Sequence, residues 1–210
     1  MTTSSISADS IVDAARAAIR REARAVEGLS NQIDRSFALL AQDILKLSGK
    51  VITTGTGTSG IMAERLAHLL AVSGTPAFYL PCLDALHGGM GAITKGDMVV
   101  AISKGGQSSE LIELVTRLGE RGIPVVAVTE NPASPFAKAA QLVAAVKTEP
   151  VDADPGGLIA MGSTLVAGAW GDALATVLMA LRGQTWEEVV HIHPGGVVGQ
   201  QTELPPDVEL

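Results

Sequence analysis

Gly55-Thr56-Gly57-Thr58-Ser59-Gly60 follows the apolar run Val51-Ile52 and precedes Ile61-Met62-Ala63-Glu64-Arg65-Leu66-Ala67, in which apolar residues recur at helical spacing. That order reads as strand, glycine turn, helix, and it brings free backbone N–H groups and a helix N-terminus to one point, a seat for an anion such as phosphate. Further on, Met98-Val99-Val100-Ala101-Ile102 leads into Ser103-Lys104-Gly105-Gly106-Gln107-Ser108-Ser109 and then the helical stretch Glu110-Leu111-Ile112-Glu113-Leu114-Val115. Two strand ends therefore offer hydroxyls, glycines and amides. The pair, more than either loop, points to a phosphorylated small molecule.

Outward from these loops, strand and helix alternate. Strands are expected at Lys50 to Thr54, Pro76 to Leu80, Asp97 to Ser103, Pro124 to Thr129 and Leu142 to Lys147, mostly short apolar runs of the kind buried on both faces. Helices are expected at about Ser59 to Ser73, Ser108 to Gly122, Pro135 to Ala140, Gly162 to Arg182 and Thr185 to Val190. Ahead of the first strand, residues 9–48 carry an apolar residue every three or four positions and read as two helices meeting near Gly28-Leu29-Ser30-Asn31. The final segment, residues 201–210, reads as a solvated tail. The expected fold is α/β, a parallel sheet covered by helices on both faces, with ligands held beyond the carboxyl ends of the strands where strand order reverses.

Composition narrows the function. At 210 residues and 47% hydrophobic content, the chain suffices for one well-buried α/β domain. A formal charge of −7, no cluster of Lys and Arg and only six aromatic residues leave nucleic acid little to bind. Cys82 has no internal disulfide partner, and neither a leader pattern nor an uninterrupted membrane span is visible, so a reducing cytoplasm is the expected compartment. The most apolar stretch, Gly157 to Leu181, contains several glycines, Ser163, Thr164 and Asp172 and reads as a buried core helix.

Gly55, Gly57 and Gly60 satisfy the dinucleotide glycine pattern, but the place for the acidic ribose ligand holds Leu80-Pro81-Cys82. No Gly-Lys-Ser/Thr follows at phosphate-loop spacing, which argues against nucleotide hydrolysis. No redox cofactor is expected. His191 and His193 fall on one side of an extended segment, but without a third ligand nearby no metal site is assigned.

Gly55-Thr-Gly-Thr-Ser-Gly, Leu86-His-Gly-Gly-Met-Gly, Ser103-Lys-Gly-Gly-Gln-Ser-Ser-Glu, Gly122-Ile-Pro-Val-Val-Ala-Val-Thr-Glu-Asn-Pro and His193-Pro-Gly-Gly resemble, in order, the sugar isomerase (SIS) domain. The similarity is greatest to its arabinose-5-phosphate isomerase branch and covers about residues 30 to 200. It implies a five-stranded parallel sheet in a three-layer α/β/α sandwich with flavodoxin-like strand order, spanning residues 1–210 as a single SIS domain. It further implies a homodimer or homotetramer with active sites shared between subunits, and aldose–ketose isomerisation of a phosphosugar through an enediol. Branch members commonly add a pair of CBS modules after this domain, which this sequence lacks. They usually carry Lys at the position of Thr58, Ser-Asn-Ser-Gly-Glu at Ser103-Lys104-Gly105-Gly106-Gln107, and Glu at the position of Asp152. The substrate is accordingly expected to differ from arabinose 5-phosphate.

Isomerisation needs a base to move a proton between C2 and C1, an acid to open the ring and donors for charge on the carbonyl oxygen. The expected phosphate cradle is Gly57, Thr58, Ser59, Ser103, Lys104, Gly106 and Ser108. The expected catalytic set is His193 and Asp152 for ring opening and proton transfer, Gln107 for hydroxyl orientation, and His87, which the resemblance places in a neighbouring subunit's site. His68 reads as a packed helix residue. Two other functions share the cradle: a non-catalytic phosphosugar sensor, and a lyase or hydrolase acting on a sugar-phosphate derivative.

Overall fold

The structure, a computed structural model, describes residues 6–210. Its centre is a parallel sheet of β1 (Val51–Gly55), β2 (Ala77–Tyr79), β3 (Met98–Ile102), β4 (Val125–Thr129) and β5 (Leu142–Ala145), in the order β2-β1-β3-β4-β5. Five parallel strands in this order are the flavodoxin-like arrangement, with its switch point between β1 and β3. Those two strands pair from Val51 opposite Met98 to Gly55 opposite Ile102.

Alternation along each strand builds two cores. Val51, Met98, Val100, Ile102, Val126 and Val128 face one layer, formed by α1 (Ala8–Leu29), α2 (Arg35–Leu45), α3 (Gly57–Val72) and α7 (Gly162–Arg182). Ile52, Val99, Ala101, Val125 and Ala127 face the other, formed by α4 (Cys82–Leu86), α5 (Ser109–Glu120) and α6 (Pro135–Ala139). Successive side chains point to opposite faces, so a strand buried on both reads as a continuous apolar run. In α5, Leu111, Leu114, Val115 and Leu118 recur at helical spacing and are all buried. Truncating one such leucine to alanine costs about 2–5 kcal/mol.

Several expectations are corrected. Helix α3 starts at Gly57 rather than Ser59, directly after the last residues of the strand. The five-residue helix α4 adds to the expected elements. Strand β5 is an edge strand, with Leu142 39% and Val143 38% exposed, rather than buried on both faces. His68 lies on the exposed face of α3 instead of in the core. The last residues are mostly exposed but tied down, since the Trp186 backbone N–H donates to Asp207 and its indole Nε1 donates to the Pro206 carbonyl at 2.8 Å. Helix α7 is long and apolar enough to cross a membrane, yet Trp170, Leu174 and Leu178 bury it in the first core.

The amino end of the sheet is sealed. Asp97 accepts from the Lys50 N–H, the Thr94 N–H and the Thr94 hydroxyl at 2.7, 2.7 and 2.9 Å. Burial opposes charge on this carboxyl, but those three donors outweigh it and hold its pKa below the usual carboxylate range. Arg182, at the last turn of α7, donates to the Thr75 hydroxyl at 3.0 Å and reaches the Ile44 carbonyl.

Candidate functional site

The carboxyl end is built differently. Helices α3 and α5 start there, on either side of the switch point, with Thr56 and Ser108 at their N-cap positions. Neither hydroxyl caps its own helix. Instead Thr56 Oγ1 and Ser108 Oγ lie 3.2 Å apart and bond to each other. The first-turn N–H groups of a helix have no intrahelical acceptor, so two uncapped N-termini with their partial positive charge are joined at one place. Four other helices have filled caps: Ser7, Asp34, Ser134 and Thr185 accept first-turn N–H groups of α1, α2, α6 and of α8 (Trp186–His191), while the short α4, after Pro81, has no side-chain cap.

Glycine is required at two points of this turn pair. A Cβ on Gly55 would lie 2.9 Å from the Ser59 carbonyl, and one on the buried Gly106, at φ +65, would lie 2.2 Å from Ser134 Oγ. The Gly106 N–H donates to Ser103 Oγ at 3.2 Å, so Ser103 shapes the loop from inside.

Beside these helix ends lies an open cleft whose enclosed part is about 50 Å³. Thr58, Ser59 and Lys104 line it, together with Thr129, Glu130, Ser163 and Thr164 over an apolar floor that includes Met62, Ile102 and Val128. Lys104 Nζ donates to Asp154 Oδ2 at 2.5 Å. Asp154 Oδ1 accepts the N–H groups of Met161 and Ser163, each at 2.9 Å, and so caps α7 from a distance. The carboxylate is only 1% exposed; burial raises its pKa, but Lys104 and the α7 N–H groups overcome that and bring it to about 2. The Lys104 carbonyl accepts from the Glu130 N–H at 3.0 Å and the Thr129 hydroxyl at 2.9 Å, fixing the serine loop to the end of β4. Glu130 Oε1 accepts from the N–H and hydroxyl of the buried Thr148. Ser163 is 8% exposed, and its hydroxyl adds to the donors that lower the Asp154 pKa.

Of the residues expected from sequence, the structure brings Thr58, Ser59 and Lys104 together in the cleft, bonds Ser108 to Thr56 outside its lining, and uses Gly57, Ser103 and Gly106 to shape the turns. The other four stand apart. Gln107 is exposed, its amide 3.5 Å from the Gly105 carbonyl of its own loop. Asp152 sits on an exposed turn, 4.0 Å from Arg21 of α1. His87 is exposed after α4, on the β2 side. His193 follows α8, with Nδ1 2.6 Å from the Val189 carbonyl. Helix α7 has 21 residues and carries the chain about 30 Å from the cleft toward the sealed end before His193 is reached. Sequence reasoning misses Asp154, Glu130 and Ser163. Glu130 stands unremarked inside the Gly122-to-Pro132 motif, directly after a strand, and Asp154 precedes a proline ahead of α7.

A larger cavity of about 250 Å³ lies between α2 and the β5 edge, near Phe37 and Trp170. Its carboxylates are already engaged, Asp34 in capping α2 and Asp43 with Lys46, so the cleft is the better candidate. Among the described residues, no group of three or more His, Cys, Asp or Glu is placed to hold a metal ion.

The SIS domain model matches residues 44–177. Arabinose 5-phosphate isomerase KdsD of Pseudomonas aeruginosa is 38% identical over 195 residues, 92% of this chain and 59% of that protein. The chain thus spans less than two thirds of the length of this relative. Among solved structures, E. coli CFT073 c3406 in complex with arabinose 5-phosphate superposes with a TM-score of 0.86 at 29% identity, covering 90% of this chain and 100% of that one. A Listeria monocytogenes protein, described provisionally as a sugar-phosphate isomerase, gives a TM-score of 0.85 at 32% identity with the same coverage.

Proposed function

The chain belongs to the SIS-domain family, and on that premise we propose that it is an aldose–ketose isomerase of a small phosphorylated sugar, acting through an enediol. One observation carries the proposal: two uncapped helix N-termini, tied together through Thr56 and Ser108, adjoin a cleft that holds an ammonium and a carboxylate. The helix ends suit a phosphate, and the cleft suits the carbon chain beyond it. Thr58, Ser59 and Ser108 with the first-turn amides form the proposed cradle, and Ser103 and Gly106 hold its shape. The names of the KdsD relative and of the E. coli complex support a sugar phosphate as substrate. Thr58, Lys104 and Gln107 depart from the pattern of the arabinose-5-phosphate branch, which supports a different sugar.

His193 and His87 belong to the proposal as groups supplied by a second copy. The enclosed part of the cleft, about 50 Å³, is well below the several hundred Å³ of ordinary ligand pockets, which supports completion of the site by another subunit. Ile11, Val12 and Ile19 of α1, with Ile61 and Leu165, are exposed apolar side chains that such an assembly would cover. A homo-oligomer, dimer or tetramer, is therefore proposed. So are a single SIS domain, since α1 and α2 share the core of the sheet, and a cytoplasmic location.

The test is a screen of purified protein against four- to six-carbon aldose and ketose phosphates and their acid forms, read by thermal shift and by mass-neutral conversion. Conversion of a stabilising sugar supports the isomerase. Stabilisation without conversion favours the sensor reading, for which the loss of the family's Lys and Glu at Thr58 and Gln107 speaks. Products of altered mass favour a lyase or hydrolase.

A further inference from the structure

Resting on the isomerase reading, we propose that Glu130 is the carboxylate that moves the proton between the two sugar carbons, with Lys104 as the cation that receives the developing oxygen charge. Glu130 and Lys104 are the only carboxylate and the only ammonium lining the cleft among the described residues. The other nearby acids are unsuited to the task. Asp154 has both oxygens committed, Oδ1 to two N–H groups and Oδ2 to Lys104, and it is 1% exposed. Asp152 is turned toward Arg21 and does not line the cleft.

Glu130 is held as a base should be. The N–H and hydroxyl of Thr148 both donate to Oε1, which fixes the carboxylate while Oε2 has no protein partner among the described residues. Its backbone N–H donates to the Lys104 carbonyl at 3.0 Å, so the two residues are attached to each other as well as to the sheet. Lys104 uses one ammonium donor on Asp154 and keeps two for a ligand.

In the aldose-to-ketose direction, Glu130 takes the proton from C2. The C–H electron pair forms the C1–C2 double bond, and the carbonyl electrons move to O1 beside the Lys104 ammonium. Lys104 gives a proton to O1 and recovers one from O2. Glu130 returns its proton to C1 as C2 becomes the carbonyl. Atoms and electrons balance with no external oxidant or reductant. Asp154 acts through Lys104 and is a positioning residue.

The test compares wild type, Glu130→Gln and Glu130→Asp with the four- to six-carbon aldose phosphates as probes, measuring conversion, deuterium uptake from solvent at C2 and thermal shift. Gln can still accept both Thr148 bonds through its amide oxygen but cannot take a proton. The expected result is a fall in kcat and in exchange of about 10²–10⁴-fold for Glu130→Gln, with KM and thermal shift nearly unchanged. Glu130→Asp, which retains a carboxylate set back by one methylene, should keep a measurable part of the rate. A wild type that converts sugars while both variants retain its kcat would overturn the role of Glu130 and leave the isomerase reading intact. A wild type that neither converts nor exchanges any of the sugars would overturn that reading and this inference with it.

Discussion

The two ends of the sheet are made from the same strands and helices and finished in opposite ways. At the amino end, Asp97 satisfies three donors and Arg182 satisfies Thr75 and a carbonyl of α2. At the carboxyl end, Thr56 and Ser108 bond each other and leave their helices uncapped. Unsatisfied buried polar groups cost free energy and are therefore rare unless something else uses them. One end serves stability, and the other is the end we propose for a ligand.

The contrast breaks most severely if Asp97→Ala is tolerated. Three donors then lose their acceptor in a site only 6% exposed, which is expected to destabilise the fold by about 3 kcal/mol in urea unfolding. Turnover per folded molecule should be unchanged, because this residue lies at the sealed end.

Acid sharpens the comparison through Asp154, a carboxylate at the open end with both oxygens engaged. Its folded pKa, about 2, lies below the unfolded value, so its contribution is complete above about pH 4 and disappears as pH falls through about 2. The displacement corresponds to about 2 kcal/mol. Asp154→Asn should flatten that part of the stability–pH curve, measured by chemical denaturation across this range.

Smaller effects compare one threonine with another. Thr185 closes a capping box on α8, accepting from the Glu188 N–H while the Glu188 side chain accepts from the Thr185 N–H, so Thr185→Ala should cost about 1 kcal/mol. Thr56→Ala removes no cap and should change stability by no more than about 0.5 kcal/mol. Inorganic phosphate titrated into both variants is expected to bind less tightly only to Thr56→Ala. Equal stability losses from the two substitutions would remove the distinction between filled and open caps.

Much of the fold is legible in the sequence because local pattern and burial coincide. Met98 to Ile102 and Val125 to Val128 are continuous apolar runs and are buried on both faces, and α5 shows its core stripe directly. Leu142 to Ala145 has the same composition but sits at an edge, and no pattern in the strand itself reveals what lies beside it. Helix α4, at five residues, is shorter than the period needed to detect it. In the site, Ser59 and Lys104 are readable from the loops that carry them, whereas Asp154 matters because folding brings it to Lys104 across fifty positions. Glu130 is visible only as part of a turn, since its relation to Thr148 and Lys104 depends on adjacent strand ends. His193 shows the converse: its glycine motif stands out, but the length of α7 decides that a single chain does not bring it to the cleft.

The most direct test of the open end as a catalytic site is NMR detection of deuterium taken from solvent by arabinose 5-phosphate and other four- to six-carbon aldose phosphates incubated with the protein. Deuterium at C2 of recovered aldose, with conversion to a ketose of equal mass apart from the label, is the result predicted. A sugar phosphate that stabilises the protein yet returns unlabelled and unconverted would contradict it, and would make the open end a sensor's binding site.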